Sequence, residues 1–270
     1  MTARLTSTAV MARRAEPADS LDYFPTPPWA TRAFCKYVLP AVWPYPDLFK
    51  ATALDPCCGE GHMAVALGEY FEAVLAADIF PYGYGGVADF LHPDNEASAD
   101  WIIMNPPFIL ALEFIQAALK RARIGVAMLC RTQFSEGQER YQQLFLPQPP
   151  QLEAQYAERV PMHKGRWVVN GKSATAYCWI VWLVRQPHGW FHTRKIWIPP
   201  SRWELTDAND WLNFGGCFDL SKEHPAIKLQ DKSDALLSIG AVREKHERAR
   251  PPSPASLGDI AKELQGRLVV

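Results

Sequence analysis

The chain predicts an α/β fold: a doubly wound, mostly parallel sheet that ends in an antiparallel hairpin and carries a small C-terminal appendage. Three observations predict it. Apolar runs of strand length alternate with segments of helical periodicity from about residue 51 to residue 145. One run opens into a glycine turn and then a helix, Asp55-Pro-Cys-Cys-Gly-Glu-Gly-His62. Another, Trp101 to Met104, stops at Asn105-Pro-Pro-Phe108, because consecutive prolines can neither donate to a ladder nor continue into a helix. In an open α/β sheet such strand ends are where ligands bind.

At 270 residues, 48% apolar and 21% charged, the chain has material for one large domain with an appendage. Its six cysteines show no Cys-x-x-Cys spacing, so neither a metal centre nor a disulfide framework is expected, and a reducing, cytoplasmic setting is. Residues 1–20 lack the apolar core of a signal peptide and read as a flexible tail. The longest apolar run, Cys178 to Val184, is far short of a membrane span, so no membrane association is expected.

Tyr23-Phe-Pro-Thr-Pro-Pro-Trp29 is an extended aromatic segment, after which Thr26 is expected to cap a helix reaching Val38. Ala51 to Leu54 is a strand and Met63 to Phe71 a helix. Between them Gly59 and Gly61 permit a tight turn and let a ligand approach backbone. Ala73 to Ala77 is the next strand, and Asp78 at its end suits ribose hydroxyls. A short element, Val87-Ala-Asp89-Phe90, offers an acid for an amino group and a ring for a base. After Asn105 an amphipathic helix runs through Leu112, Phe114, Ile115, Ala118 and Leu119, then a strand from Ile124 to Leu129 and a helix from Glu136 to Phe145.

Beyond the prolines at 147, 149 and 150 the texture changes. Arg159 to Val169 and Ala176 to Val184 are strand-like around Asn170-Gly171, a hairpin-turn dipeptide. Residues 186–220 read as loop. Ser256 and Asp259 form a capping box for a last helix with Leu257, Ile260, Ala261, Leu264 and Leu268 on one face.

The net charge of −1 conceals an asymmetry. No Lys or Arg lies between Ala51 and Leu119, whereas from Lys120 to Trp203 basic residues outnumber acidic ones. The first stretch suits a cationic or neutral small ligand, the second a polyanion. His163, Lys164, Arg166, Trp167, Lys172, Tyr177 and Trp179 interleave charge with aromatic rings, which fits phosphates and stacked bases, although Trp179 and Trp182 read better as core.

Asn105 supplies an amide oxygen and Pro106 a carbonyl, and both can accept from one –NH2 group while Phe108 offers a face for a planar ring. That suits an exocyclic amine on an aromatic base. Standing alone, Asn-Pro-Pro-Phe can also be an ordinary strand-ending turn, the lesser of the two readings. The order Thr26-Pro27, Asp55-Pro-x-x-Gly59-x-Gly61, Asp78, Asp89 and Asn105-Pro-Pro-Phe108, with the basic region last, resembles the S-adenosylmethionine-dependent N6-adenine DNA methyltransferases of γ motif order. Leu129-Cys-Arg-Thr-Gln-Phe and the Lys164-Gly-Arg-Trp segment look similar to compact phage and prophage forms.

The resemblance covers about residues 23–185 and implies a Rossmann-like class I methyltransferase sheet. It implies that S-adenosyl-L-methionine is held by Thr26, Pro27, Asp55, Pro56, Cys57, Gly59, Gly61, Asp78, Ile79, Asp89 and Phe90. It assigns the target base to Asn105, Pro106, Pro107 and Phe108 and makes DNA the partner, met by Lys164, Arg166, Trp167, Lys172, Arg194 and Lys195. The catalytic domain would span 21–185 with a basic hairpin at 159–184. A recognition region at 186–250 and a linker with C-terminal helix at 251–270 would follow, in a monomer or homodimer.

Three other readings stay open. A dinucleotide oxidoreductase would use the glycine turn, but leaves Asn105-Pro-Pro-Phe108 without a role. The same transfer could act on RNA, a guanine amine or a protein glutamine amide. A DNA-binding protein with little activity could keep the scaffold for anti-restriction.

Overall fold

The computed structural model of the chain describes residues 22–43, 50–184 and 192–215. Helix α1 (Pro28–Ala33) passes into a wider π turn, Phe34–Val38, and then α2 (Leu39–Val42). Proline suits the first turn of α1 because the amide it lacks would have no helical partner. Thr26 does not cap this helix. The N-cap position is Pro27, without a side-chain bond, and the Thr26 hydroxyl serves elsewhere.

Strand β1 (Thr52–Asp55) leads through the glycine turn to α3 (His62–Leu67), which ends at Gly68, short of the expected Phe71. Then come β2 (Ala73–Asp78), β3 (Gly86–Val87), β4 (Ala99–Met104), α4 (Ala111–Arg121) and β5 (Ala122–Arg131). A short α5 (Gln138–Arg140) continues as a π turn to Phe145. The chain then adds β6 (Leu152–Tyr156), β7 (Tyr177–Leu183), β8 (Arg194–Ile198), α6 (Arg202–Leu205) and α7 (Ala208–Phe214).

These strands form one sheet in the order β3-β2-β1-β4-β5-β7-β6-β8. The pairs from β3 to β5 are parallel, β7 is antiparallel to both β5 and β6, and β8 runs parallel to β6. The doubly wound, mostly parallel sheet with a terminal antiparallel hairpin is therefore the fold expected from the Rossmann-like resemblance. The hairpin's first strand is not the expected one. Leu152–Tyr156 pairs with β7, while residues 159–169 form an irregular connection whose only isolated bridge among the described residues joins His163 to Arg166. Val160, Met162, Trp167, Val168 and Val169 are buried there, so apolar residues that look strand-like fill a cross-over instead of a ladder. β8, α6 and α7 replace part of the expected loop, and the C-terminal helix expected at 256–268 lies outside the described residues.

Chain order along the sheet runs outward from β1 to β3, then restarts at β4 beside β1. The crevice between β1 and β4 is the switch point, where strand ends diverge and leave room for a ligand. Alternation along β4 divides the core. Trp101 and Ile103 pack with Trp29, Phe34, Met63 and Leu67 under α1 and α3. Ile102 and Met104 pack with Phe90, Phe114 and Ile115 under α4. Trp179 and Trp182 are core residues, and their indole N–H groups bond to the Tyr156 hydroxyl at 2.7 Å and the Gln148 carbonyl at 3.0 Å, which removes the cost of burying them. Arg32 is 7% exposed and forks between Glu69, at 2.6 Å, and Asp210, at 2.7 Å, fastening α7 and the chain after α3 to α1.

Candidate active site

Two strand ends and one loop meet at the switch point. Asp55 ends β1, Asp78 ends β2, and Asn105 follows β4. Around them lies an open cleft of about 830 Å3, its mouth included. Asp22, Asp55, Asp78 and Asp89 line it, and no Lys or Arg does so among the described residues.

Asn105 is held by its amide nitrogen. Nδ2 donates to the Phe24 carbonyl at 2.9 Å and to the Thr26 hydroxyl at 3.0 Å, with Met162 Sδ 3.9 Å away. A carbonyl can only accept, so the –NH2 must face Phe24 and the amide oxygen must face away. Oδ1 is buried with no partner. Such an orphan acceptor costs folding free energy unless something donates to it. Beside it, the Pro107 carbonyl accepts from Leu110 at 3.0 Å, while that of Pro106 accepts no backbone bond among the described residues.

Asp55 is 1% exposed and accepts one amide, Cys57 N–H, at 3.3 Å. Burial pushes its carboxyl up to about 8, and the negative Asp78 nearby adds to the rise. Asp78 splits its oxygens between Gly59 N–H at 2.9 Å and Phe80 N–H at 3.1 Å, so in this structure it braces the glycine turn while still lining the cleft. Gly59 (φ +53°) and Gly61 (φ +88°) do not themselves line the cleft. The close approach they permit is made by tyrosine: a Cβ on Gly59 would stand 2.3 Å from the Tyr23 ring, and one on Gly61 2.5 Å from Tyr84. Pro56, Cys57 and Ile79 reach the cleft, and Pro27 does not.

Asp89 lines the cleft and accepts from Leu91 N–H at 2.8 Å. Phe90 also borders it, but its ring is 3% exposed, packed on Phe114 and under Arg121, so it forms floor more than stacking face. Phe108 is tied by its N–H to Asp22 at 2.7 Å, and the Arg131 guanidinium covers one face of its ring at 4.0 Å.

The expected nucleic-acid residues separate. Lys164 and Arg166 are exposed on a turn whose Gly165 N–H reaches the Tyr23 carbonyl at 2.9 Å, which places them at the cleft rim; Lys172 is exposed on the same connection. Trp167 is 3% exposed and meets His62 edge-on, so it backs the cleft and offers no ring to an incoming base as it stands. Tyr177, whose ring the sequence offers for stacked bases, is likewise buried. Arg194 and Lys195 lie on β8, four strands from β4, roughly 19 Å across the sheet. Lys195 pairs with Glu153 at 2.7 Å and Arg194 bonds to the Ala41 carbonyl. They are not part of this cluster.

Residues that the sequence did not single out are Asp22, Phe24, Met162, Arg131 and His62. His62 lines the cleft, stacks on Phe214 with ring centroids 4.0 Å apart, and has no partner for either ring nitrogen. Burial holds it neutral, lowered to about 4.

No protein-family model matches the sequence, and no curated protein does. Among solved structures the chain is similar to a Listeria monocytogenes protein described as a class I S-adenosylmethionine-dependent methyltransferase, with 10% identity, 66% of this chain and 67% of that one covered, and a TM-score of 0.48. It is also similar to the methyltransferase subunit of a type I restriction-modification system from Streptococcus thermophilus, with 12% identity, coverage of 59% and 44%, and a TM-score of 0.46. The M protein of the EcoKI type I restriction enzyme gives 11% identity, 61% and 44%, and a TM-score of 0.43. The chain spans less than half the length of those two subunits. The likeness is one of layout. What the cleft does must come from its own side chains.

Proposed function

We propose that the protein transfers a methyl group from S-adenosylmethionine to the exocyclic N6 amine of adenine in DNA. The observation that carries this reading is the Asn105 amide oxygen, buried, aligned by the two bonds that its own –NH2 donates, and left without a donor at the edge of the cleft.

The cleft suits that cofactor. Asp22, Asp78 and Asp89, with no lining cation among the described residues, favour a ligand bearing a sulfonium and an ammonium group and oppose the pyrophosphate of a dinucleotide, which counts against the oxidoreductase reading. Thr26, Asp55, Pro56, Cys57, Asp78, Ile79 and Asp89 are placed to hold it, Asp78 and Asp89 through charge and Asp55, protonated below about pH 8, through hydrogen bonding. When bound, S-adenosylmethionine supplies an electrophilic methyl group. Asn105 Oδ1 and the Pro106 carbonyl then accept from the adenine –NH2, fix the direction of its lone pair, and stabilise the positive charge that grows on nitrogen until its spare proton leaves to water. Adenine inside a duplex cannot reach this corner, so the base must be flipped out. Lys164 and Arg166 at the rim support a nucleic-acid partner.

The test is transfer of tritiated methyl from S-adenosylmethionine to unmethylated DNA, RNA and bulk protein in parallel, with nucleoside analysis. N6-methyladenine in DNA is the expected product. Label in RNA or protein alone would move the substrate class and leave the amine chemistry standing. Cofactor binding with no label anywhere would favour a binding protein.

A further inference from the structure

The Asn105–Phe108 segment is a wall with two sides. Its backbone at Pro107 (φ −51°, ψ 129°) is polyproline-like and turns at Phe108 into a short 3-10 turn, so its side chains part to two sides. Asn105 and Pro107 accordingly line the carboxylate cleft, while Pro106 and Phe108 line a second cavity of about 510 Å3, mouth included. Ala111, Met128, Leu129 and Cys130 form the apolar floor of that cavity. Its polar lining is Arg131, Gln133 and Arg140, with no carboxylate among the described residues.

Both arginines are held in place by something other than an acid. Arg131 lies at the end of β5, over the Phe108 ring at 4.0 Å, and stands opposite Tyr177 in the β5–β7 ladder. Its Nε is buried and unpartnered. Arg140 lies 5.1 Å over the Phe134 ring, gives Nε to the Phe134 carbonyl at 2.7 Å, and bonds to the Glu136 carbonyl. Neither makes an ion pair among the described residues, unlike Arg32, Lys36, Arg123 and Lys195. Two guanidinium groups without an ion pair, on aromatic supports across a short wall from Asn105, are suited to an anion.

We propose that this cavity is a phosphodiester subsite: Arg131 and Arg140 take the backbone phosphate beside the target adenosine, and so seat the flipped nucleotide against Asn105. The inference rests on the methyltransferase reading and names how its substrate strand is gripped.

The experiment is equilibrium binding of the full chain to an adenine-containing DNA single strand and its duplex between about 50 and 200 mM salt, with S-adenosylmethionine affinity measured alongside. Arg131→Gln should flatten the slope of log K against log salt by roughly 0.7–0.9, and the Arg131→Gln/Arg140→Gln pair by about twice that. Arg131→Lys should keep the slope, and cofactor affinity should be the same in every variant. An unchanged slope in the double variant, while DNA is still methylated, overturns the subsite and leaves the function intact. Cofactor binding without any binding to nucleic acid overturns both. Arg131-dependent thermal stabilisation by inorganic phosphate, with the DNA slope unchanged, would make the cavity a free-anion site and also overturn the proposal.

Discussion

Two hollows share one wall, and their linings have opposite charge. The cleft on the Asn105 and Pro107 side has four aspartates and no cation, whereas the cavity on the Pro106 and Phe108 side has two arginines and no acid, among the described residues. The charge asymmetry of the sequence, with no Lys or Arg from Ala51 to Leu119 and a basic stretch after it, is converted by the fold into a boundary only a few residues wide. What this teaches is that charge bias along a chain becomes chemically useful when topology brings the two halves edge to edge. Here β4 lies within the acidic stretch, and its neighbour β5 ends at Arg131.

The sharpest way to break this comparison is at the wall. Asn105→Ala removes the acceptor that faces the target amine, and should lower the methyl-transfer rate by roughly 10²–10³ while leaving cofactor affinity nearly unchanged. Single-turnover rates and calorimetry check the two halves of that statement. Asp78→Ala should do the reverse, weakening cofactor binding by loosening the Gly59 turn; equal loss of cofactor in both variants would dissolve the division between wall and cleft.

The acidic side should also show in stability against pH. Between about pH 4 and 8 the folded chain keeps a proton on Asp55 that the unfolded chain has released, so this group makes stability fall as pH rises. His62, lowered to about 4, acts in the opposite direction up to the ordinary histidine range near 6.5. The interval from about 6.5 to 8 therefore belongs to Asp55, with at most about 2 kcal/mol lost across it. Asp55→Asn should flatten that limb in urea titrations of the cofactor-free protein. A limb of the same steepness in the variant would place the titrating group elsewhere.

The smallest effects separate rim from far edge. Lys164→Ala and Arg166→Ala should each reduce the salt dependence of DNA binding by about one contact. Arg194→Ala and Lys195→Ala should change it very little, because β8 is four strands from β4, the strand that Asn105 follows. Equal effects from both pairs would mean that DNA wraps the sheet edge.

Much of the first half was legible in the sequence because its signals are local. Apolar runs ending in Asp55, Asp78 and Asn105, with glycines or prolines after them, specify strand ends whatever the rest of the chain does. The second half misleads for a physical reason. Val160, Trp167, Val168 and Val169 have the composition of a strand, yet they are buried in a connection, whereas the alternating β6 is short and follows prolines. Residue type was a fair guide to who joins the site and a poor one to which face each residue presents. Phe90 and Trp167 are near the cleft but spend their rings on the core. The contacts that orient Asn105 come from Phe24, Thr26 and Met162, far from it in sequence, and no spacing rule reveals them.

The tyrosine lying on Gly59 has a consequence for how this protein can diverge. A side chain at position 59 faces two obstacles, the left-handed backbone at φ +53° and the Tyr23 ring. Asparagine tolerates the first, and a smaller residue at position 23 relieves the second. Positions 23 and 59 should therefore drift as a linked pair among descendants of this chain. A change of Gly59 to asparagine should follow the loss of the ring at position 23 and not precede it.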